Sequence, residues 1–530
     1  MSKPGAFVGR NRESTGKLAF LVAAGILLSR IIGLIRLRVF SHYFGLRSDS
    51  ADAFNAAFRI PNFLQNLFGE GVLSASFIPV YARLLAEGEE EEAGKVAGAV
   101  GATLALAVAV LCLAGVLATP WLIDIIAPGF SGSKRDLTIS LVRILFPGAG
   151  LLVFSAWCLG ILNSHRKLFL SYAAPVMWSA AMIATLMIFG GRSTLSQLAI
   201  TLAWGSVAGS ALQFGIQLPV VLRLAKKLRF RLDLDSEHVR VVIRNFAPVF
   251  VSRGVVQISA YIDALLASLL PTGAVTGLIN AQLIYVLPVS LFGMSVSAAE
   301  LPVMSSATGS TEEIQTALRE RLDSGLRHIA FFIVPSAAAF LAFGDLIAAA
   351  LLQTGRFTHT DAQYVWGILA GSSVGLLAST MGRLYSSAYY ALRDTRTPLK
   401  FAVLRVALTT VLGYICAKPL PLAIGIDPRW GVAGLTASAG VAGWVEFSLL
   451  RRGLHRRLGA GPSISGFVAK LWLAAALAVI VGSAGRLLPY AAHPIYGALA
   501  TLGPFGLVYL VVGAYFAPEG RRLVMRLLRH

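Results

Sequence analysis

The sequence is poor in charge. Only 14% of its 530 residues are Asp, Glu, Lys or Arg, against about 25% in soluble globular proteins. Acidic residues are the scarcer kind, 26 against 46 basic ones. Cysteine is nearly absent: Cys112, Cys158 and Cys416 sit singly inside apolar runs, with no C-x-x-C spacing. That excludes a disulfide framework or a cysteine zinc site and leaves small buried apolar residues. The eight histidines are scattered and form no ligand cluster. No phosphate-binding glycine loop, nucleophile elbow or metal-ligand spacing is present, so an enzyme reading has no residues to stand on.

What is abundant is apolar. Hydrophobic residues make up 56% of the chain and its mean hydropathy is +0.72, which excludes a disordered chain and an ordinary soluble enzyme. The fold class expected is an all-α polytopic membrane protein. Apolar segments fall at 18–45, 52–84, 94–127, 137–163, 168–190, 197–224, 242–270, 274–305, 325–354, 362–391, 398–418, 430–450, 466–488 and 495–516. Each is long enough to cross a hydrocarbon core about 30 Å thick, so about fourteen transmembrane helices are expected. The first run leads into an arginine-bearing segment with no small-residue cleavage site, and reads as a first span rather than a removable signal peptide.

The net charge of +20 would suggest nucleic acid in a soluble protein. Here its location decides otherwise. One set of alternate connections carries Arg166 and Lys167, then Arg223 to Arg244, Arg319 to Arg327, Arg393 to Lys400, Arg451 to Arg457 and the tail Arg521 to Arg529. The opposite set holds little beyond Arg47, Lys134, Arg135, Arg192, Arg356, Arg429 and Arg486. The positive-inside rule then places both termini in the cytoplasm, and nucleic acid is not expected as a partner. The glutamates at 87 and 89–92 depart from the pattern but weigh little in it.

An internal repeat adds organisation. Ser29-Arg30 and Ser252-Arg253 are each followed, 49 residues on, by an apolar-Pro-Val step, and Ser74 and Ser297 share the same offset of 223. A six-helix unit repeated once gives two lobes with a cleft between them. The expected organisation is a cytoplasmic segment 1–17, an N-lobe 18–225, a basic linker 226–241, a C-lobe 242–457, two further helices in 458–517 and a basic tail 518–530.

Charges inside the spans carry the functional content, because each costs at least about 2.5–3.5 kcal/mol at the centre of a bilayer. The first span contains Arg30 and Arg36, six residues apart and so projecting about 120° from one another. The second supplies Asp52, Arg59, Asn62, Asn66 and Glu70 near helical spacing, a polar stripe on an otherwise apolar helix. Such a stripe must line water or another polar stripe. The plain alternative is a set of buried ion pairs joining the two helices. An excess of guanidinium over carboxylate in a cleft argues instead for an anionic guest, since arginine binds phosphate bidentately.

At these residues a family resemblance enters. The run Ser29-Arg30-x-x-Gly33-x-x-Arg36, with Phe44-Gly45, Asp52-Ala53-Phe54, Phe58-Arg59-Ile60-Pro61-Asn62, Phe68-Gly69-Glu70-Gly71 and Ser76-Phe77-Ile78-Pro79, closely resembles the MurJ/MviN family of lipid II flippases. Ala127-Pro128-Gly129-Phe130, Gln353-x-Gly355-Arg356-Phe357-Thr358 and Arg393-Asp394-Thr395-Arg396-Thr397-Pro398 extend the match over most of the chain. The resemblance implies two six-helix lobes plus two helices. It also implies that lipid II, an undecaprenyl-pyrophosphate-linked peptidoglycan precursor, is moved between leaflets for cell-wall synthesis. The sequence departs from the family pattern at Leu37, Gln65, Leu283 and Val286, where charged residues are expected.

The expected substrate-binding residues are therefore Arg30, Arg36, Arg59, Asn62 and Arg253, the last a mid-span arginine in the seventh helix that compensates for the losses. Asp52 and Glu70 are expected to pair with these arginines as gate or switch groups. Asp263 has no basic neighbour in its own helix and reads either as a structural carboxyl or as a coupling-cation site. No cofactor is expected; Na⁺ or H⁺ coupling, or the membrane potential, would supply any driving force. The expected partners are lipid II or a related polyprenyl-pyrophosphate glycolipid, membrane lipids and cell-wall synthesis proteins. The rival readings are a flippase for another polyprenyl-linked saccharide and a non-transporting scaffold for cell-wall enzymes. A drug/cation antiporter would want acidic cavity residues, which the basic stripe speaks against.

Overall fold

A computed structural model describes residues 6–68, 70–225, 227–233, 235–306, 310–459, 464–488 and 493–516, with the side chains of these except 6–23, 26, 70, 71, 74, 247–260 and 311. The chain divides into two units, Met1–Tyr261 and Ile262–His530. Among the described residues there is no β-strand, only an isolated bridge between Thr354 and Phe357.

Unit 1 is built from α1 (Ala6–Phe44), α2 (Asp49–Phe68), α3 (Glu70–Ser76), α4 (Ile78–Ala86), α5 (Glu90–Ile126), α6 (Gly132–Ser164), α7 (Leu168–Ala173), α8 (Pro175–Phe189), α9 (Leu195–Leu224) and most of α10 (Glu237–Ser268). The ends have local causes. Gly45 takes φ 67° and its N–H donates to the Ser41 carbonyl at 2.9 Å, which stops α1. Ser48 Oγ accepts from the Ala51 N–H at 3.1 Å, and Asp49 and Asp52 lie in the first turn of α2, where a carboxylate suits the helix dipole. Thr194 and Gln197 close a capping box on α9.

Unit 2 contains α11 (Ala274–Pro288), a π-helical segment Val289–Met294, α12 (Ser295–Ser305), α13 (Thr311–Leu352), α14 (His359–Ala391), α15 (Arg396–Ala417), α16 (Pro419–Ala423), α17 (Gly431–Leu458), α18 (Ser465–Ser483) and α19 (Pro494–Phe516). Capping boxes start α13 (Ser310 with Glu313) and α14 (Thr358 with Asp361). Helices α14 and α17 cross where both carry glycine: a Cβ on Gly375 would lie 2.4 Å from the Gly440 Cα, so only glycine permits that approach.

Each apolar segment of the sequence falls on one helix or on consecutive helices. Among the described residues, eleven of these are long and apolar enough to cross a membrane by length and composition. The remaining three are α1, the run α2–α4, and α10, and they carry the intramembrane charges singled out above. The chain is a multi-pass membrane protein.

Two described non-glycine residues have left-handed backbone, Arg166 and Arg393, both at φ 58°. They close the turns after α6 and α14, and both are exposed. A side chain in that region costs roughly 1 kcal/mol, which glycine avoids. Arg166→Gly and Arg393→Gly are therefore each expected to stabilise the purified protein by about 0.5–1 kcal/mol, measured as a raised thermal midpoint. A lowered midpoint would show that the arginine side chains are needed there.

Candidate functional site

Burial varies along the α2 stripe. Asp52 is 1% exposed, Asn55, Arg59 and Asn62 are half-buried, and Asn66 is exposed. Asp52 has a lysine partner far along the chain. Its Oδ2 accepts from Lys134 Nζ at 2.9 Å, and the same ammonium lies 3.3 Å from Asp49 Oδ1. Lys134 in turn sits 4.4 Å over the Phe130 ring. The Ala127-to-Phe130 motif thus positions the cation that neutralises the Asp52-Ala53-Phe54 motif. A pairing across 82 residues leaves no local signature in the sequence.

Arg36 is half-buried. Its guanidinium lies over the Trp178 ring of α8, 4.2 Å from the centroid, and Nη1 donates to Met182 Sδ at 3.4 Å. It makes no ion pair among the described residues. Trp178 is itself fixed: its Nε1–H donates to Ser206 Oγ on α9 at 3.1 Å, and its ring stacks on Phe58 at 5.5 Å. From Phe58 the aromatic series continues through Phe54, Phe44 and Phe40. The phenylalanines of the motif thereby anchor the platform that holds Arg36 flat.

Below Phe58, a small cavity inside unit 1 is lined by Pro61, Asn62 and Gln65 of α2 with Ser206 and Ser210 of α9. It brings Asn62 together with Gln65, one of the departures from the family pattern. Pro61 removes a backbone donor within α2 and loosens the helix beside that cavity. The Arg59 carbonyl accepts from the Tyr261 hydroxyl, whose ring packs edge-on against Phe63 at 5.5 Å. Arg30 lies on α1 and is exposed. The side chains of Glu70 and Arg253 lie outside the described residues. Asp263, near the end of α10, is half-buried.

Two further motif blocks are structural. Asp394 Oδ1 accepts from the N–H groups of Arg396 (3.1 Å) and Thr397 (3.0 Å), and Oδ2 from the Thr397 hydroxyl (2.7 Å). Arg457 Nη1 lies 2.7 Å away. The Thr397 hydroxyl and amide, then Arg457, hold the Asp394 carboxyl down at about 2, so it stays ionised as the cap of α15 and a tie to α17. The Gln353-to-Thr358 block likewise forms a turn, with Gly355 at φ 54° and Phe357 1% exposed, ahead of the α14 capping box. One intramembrane pair escaped the sequence reading altogether: Arg405 on α15 with Glu446 on α17, at 3.1 Å.

A chain of membrane-length helices in two units, with arginines seated inside its spans, has the build of a polytopic membrane transporter. Consistent with that, its fold matches an inward-facing multidrug resistance MATE family transporter (TM-score 0.64, 19% identity, 80% of this chain and 95% of that one). It also matches a structure described as lipid II flippase MurJ in an inward closed conformation (TM-score 0.75, 24% identity, 94% and 99%). The sequence matches the family described as Lipid II flippase MurJ over residues 40–518. The chain belongs to that family. Its relatives include the lipid II flippase MurJ of Burkholderia cenocepacia, 30% identical over 446 residues (83% of this chain, 84% of that protein). The protein named "Probable lipid II flippase MurJ" in Bdellovibrio bacteriovorus is 30% identical over 530 residues (97% and 96%).

Proposed function

We propose that this protein is a lipid II flippase of the bacterial cytoplasmic membrane, not an enzyme, and that it works by alternating access of two six-helix lobes within a fourteen-span chain with both termini cytoplasmic. Membership of the family and likeness to named lipid II flippases support the substrate. The observation that carries the chemistry is Arg36: a half-buried guanidinium inside a span, laid flat on Trp178 and without an ion pair among the described residues. A cation placed so in a membrane wants an anion, and a pyrophosphate is the anion that a planar guanidinium grips best.

In this reading Arg30, Arg36, Arg59 and Arg253 receive the pyrophosphate, with Asn62 beside them, while Asp52 and Glu70 act as gate groups. Fixed donors replace the head group's water, which is what makes the crossing feasible. Asp263 is the candidate for Na⁺ or H⁺ coupling, and the membrane potential alone supplies about 2.3 kcal/mol per charge per 100 mV. The test is rescue of a strain depleted of its lipid II flippase. The wild-type chain is expected to restore growth and Arg30→Ala to fail. Equal rescue by both would favour a non-transporting scaffold. No rescue by a correctly inserted wild-type chain would favour another polyprenyl-pyrophosphate saccharide as substrate.

A further inference from the structure

Unit 2 holds a second set of charges inside its spans. Arg405 Nη1 pairs with Glu446 Oε2 at 3.1 Å, yet the arginine side chain stays 41% exposed while the glutamate is 13% exposed. Tyr285 on α11 shares a hydrogen bond with Ser379 Oγ on α14 at 2.9 Å. Helix α15, which carries Arg405, packs on α17, and α17 packs on α14, which carries Ser379 and Arg383. Arg383, one helical turn past Ser379 on α14, is exposed and makes no ion pair among the described residues.

Four helices thus converge on this group: α11, α14, α15 and α17. Arg383 lies eight residues before the end of α14, and Arg405 nine residues after the start of α15. Both are therefore about 12–14 Å from the turn that joins the two helices. At that depth neither can face lipid without cost. A purely structural pair between α15 and α17 explains Arg405 and Glu446 but leaves Arg383 with no reason to be there. Two guanidinium groups against one carboxylate leave one positive charge to be met. A guest that competes with Glu446 for Arg405 must be a stronger partner than a carboxylate, and phosphate is, with more charge and more acceptor oxygens for two planar forks. The tyrosine hydroxyl adds a neutral donor.

We propose that Arg383, Arg405 and the Tyr285 hydroxyl form a phosphate-binding subsite for a polyprenyl-carried pyrophosphate, with Glu446 as the exchangeable counter-ion that holds Arg405 while the subsite is empty. The proposal rests on the flippase reading above.

The test uses the full-length protein in lipid nanodiscs with undecaprenyl pyrophosphate as the probe. Arg383→Gln is expected to weaken binding roughly tenfold. Glu446→Gln is expected to tighten it severalfold, because it frees Arg405; a merely structural glutamate could not give that sign. The double variant Arg405→Leu/Glu446→Leu, which removes the pair without stranding either charge, is expected to lose affinity while keeping its thermal midpoint. Unchanged affinity in Arg383→Gln, or weaker binding in Glu446→Gln, overturns the subsite. Competition by inorganic pyrophosphate or by excess phosphatidylglycerol as strong as by the probe itself overturns its assignment to a polyprenyl-carried group. Binding that depends on Arg36 but ignores Arg383 removes the subsite alone. An absence of binding in the wild-type chain counts against the flippase reading itself.

Discussion

Arg36→Ala is expected to abolish rescue of a flippase-depleted strain and to lower lipid II flipping in vesicles by at least tenfold, with little change in thermal midpoint. The size follows from what is removed. A charge-assisted hydrogen bond contributes about 1.5–3 kcal/mol, and every 1.4 kcal/mol is a factor of ten. The small effect on stability follows from what remains. Among the described residues Arg36 meets the Met182 sulfur and the Trp178 ring, whereas the Trp178 platform is held by Ser206 and Phe58 without it. Arg36→Lys separates charge from shape. Lysine keeps the cation but loses the planar fork and its seat on the indole, so partial activity is expected. Trp178→Leu should loosen the guanidinium while leaving it charged, and so weaken substrate affinity more than turnover. A full-strength Arg36→Lys variant would mean that position 36 supplies a point charge only. An active Arg36→Ala variant would remove the main physical support for an anionic cargo.

What could be read from the sequence follows the range over which each signal acts. Spans are written locally, in composition and length, and every apolar segment falls on helix. Helix ends also carry local signals, the left-handed glycine at 45 and the capping box at Thr358, which the segment bounds did not draw on. The polar stripe of α2 could be written down because i+3 and i+4 spacing is a property of one helix, and burial along it falls from Asp52 to Asn66. Partners were not legible. Lys134 with Asp52, Arg36 with Trp178 and Arg405 with Glu446 each join helices far apart in the chain. Nothing in the spacing of either partner specifies the other. Arg405 and Glu446 were also hidden by their settings, since each is the single charge in an apolar stretch, 401–417 and 431–450, with no periodic stripe around it. The turn at Phe77 between α3 and α4 and the π-helical segment after Pro288 were not read from composition.

The pairing of Asp52 with Lys134 gives the other large effect, and it separates a structural role from a switching one. Asp52 is 1% exposed and Lys134 13%. Removing one partner of a buried pair strands the other, which costs about 3 kcal/mol. Lys134→Met is therefore expected to lower the thermal midpoint sharply, since it leaves the Asp52 carboxylate buried without its ammonium. Asp52→Asn should be milder, because Lys134 retains Asp49 at 3.3 Å. The double variant Asp52→Asn/Lys134→Met removes both charges and is expected to recover most of the lost stability, as an uncharged pair of similar volume can replace a buried ion pair at little cost. Its transport activity then decides the point. If Asp52 only fastens α2 to α6, the recovered protein flips lipid II at the wild-type rate. If Asp52 is a gate group, its charge has to be present during the cycle, and the double variant is stable but inactive. Stability measured by thermal unfolding and flipping measured in vesicles from the same preparation supply both readouts. The gate role is lost if the double variant matches the wild type in both.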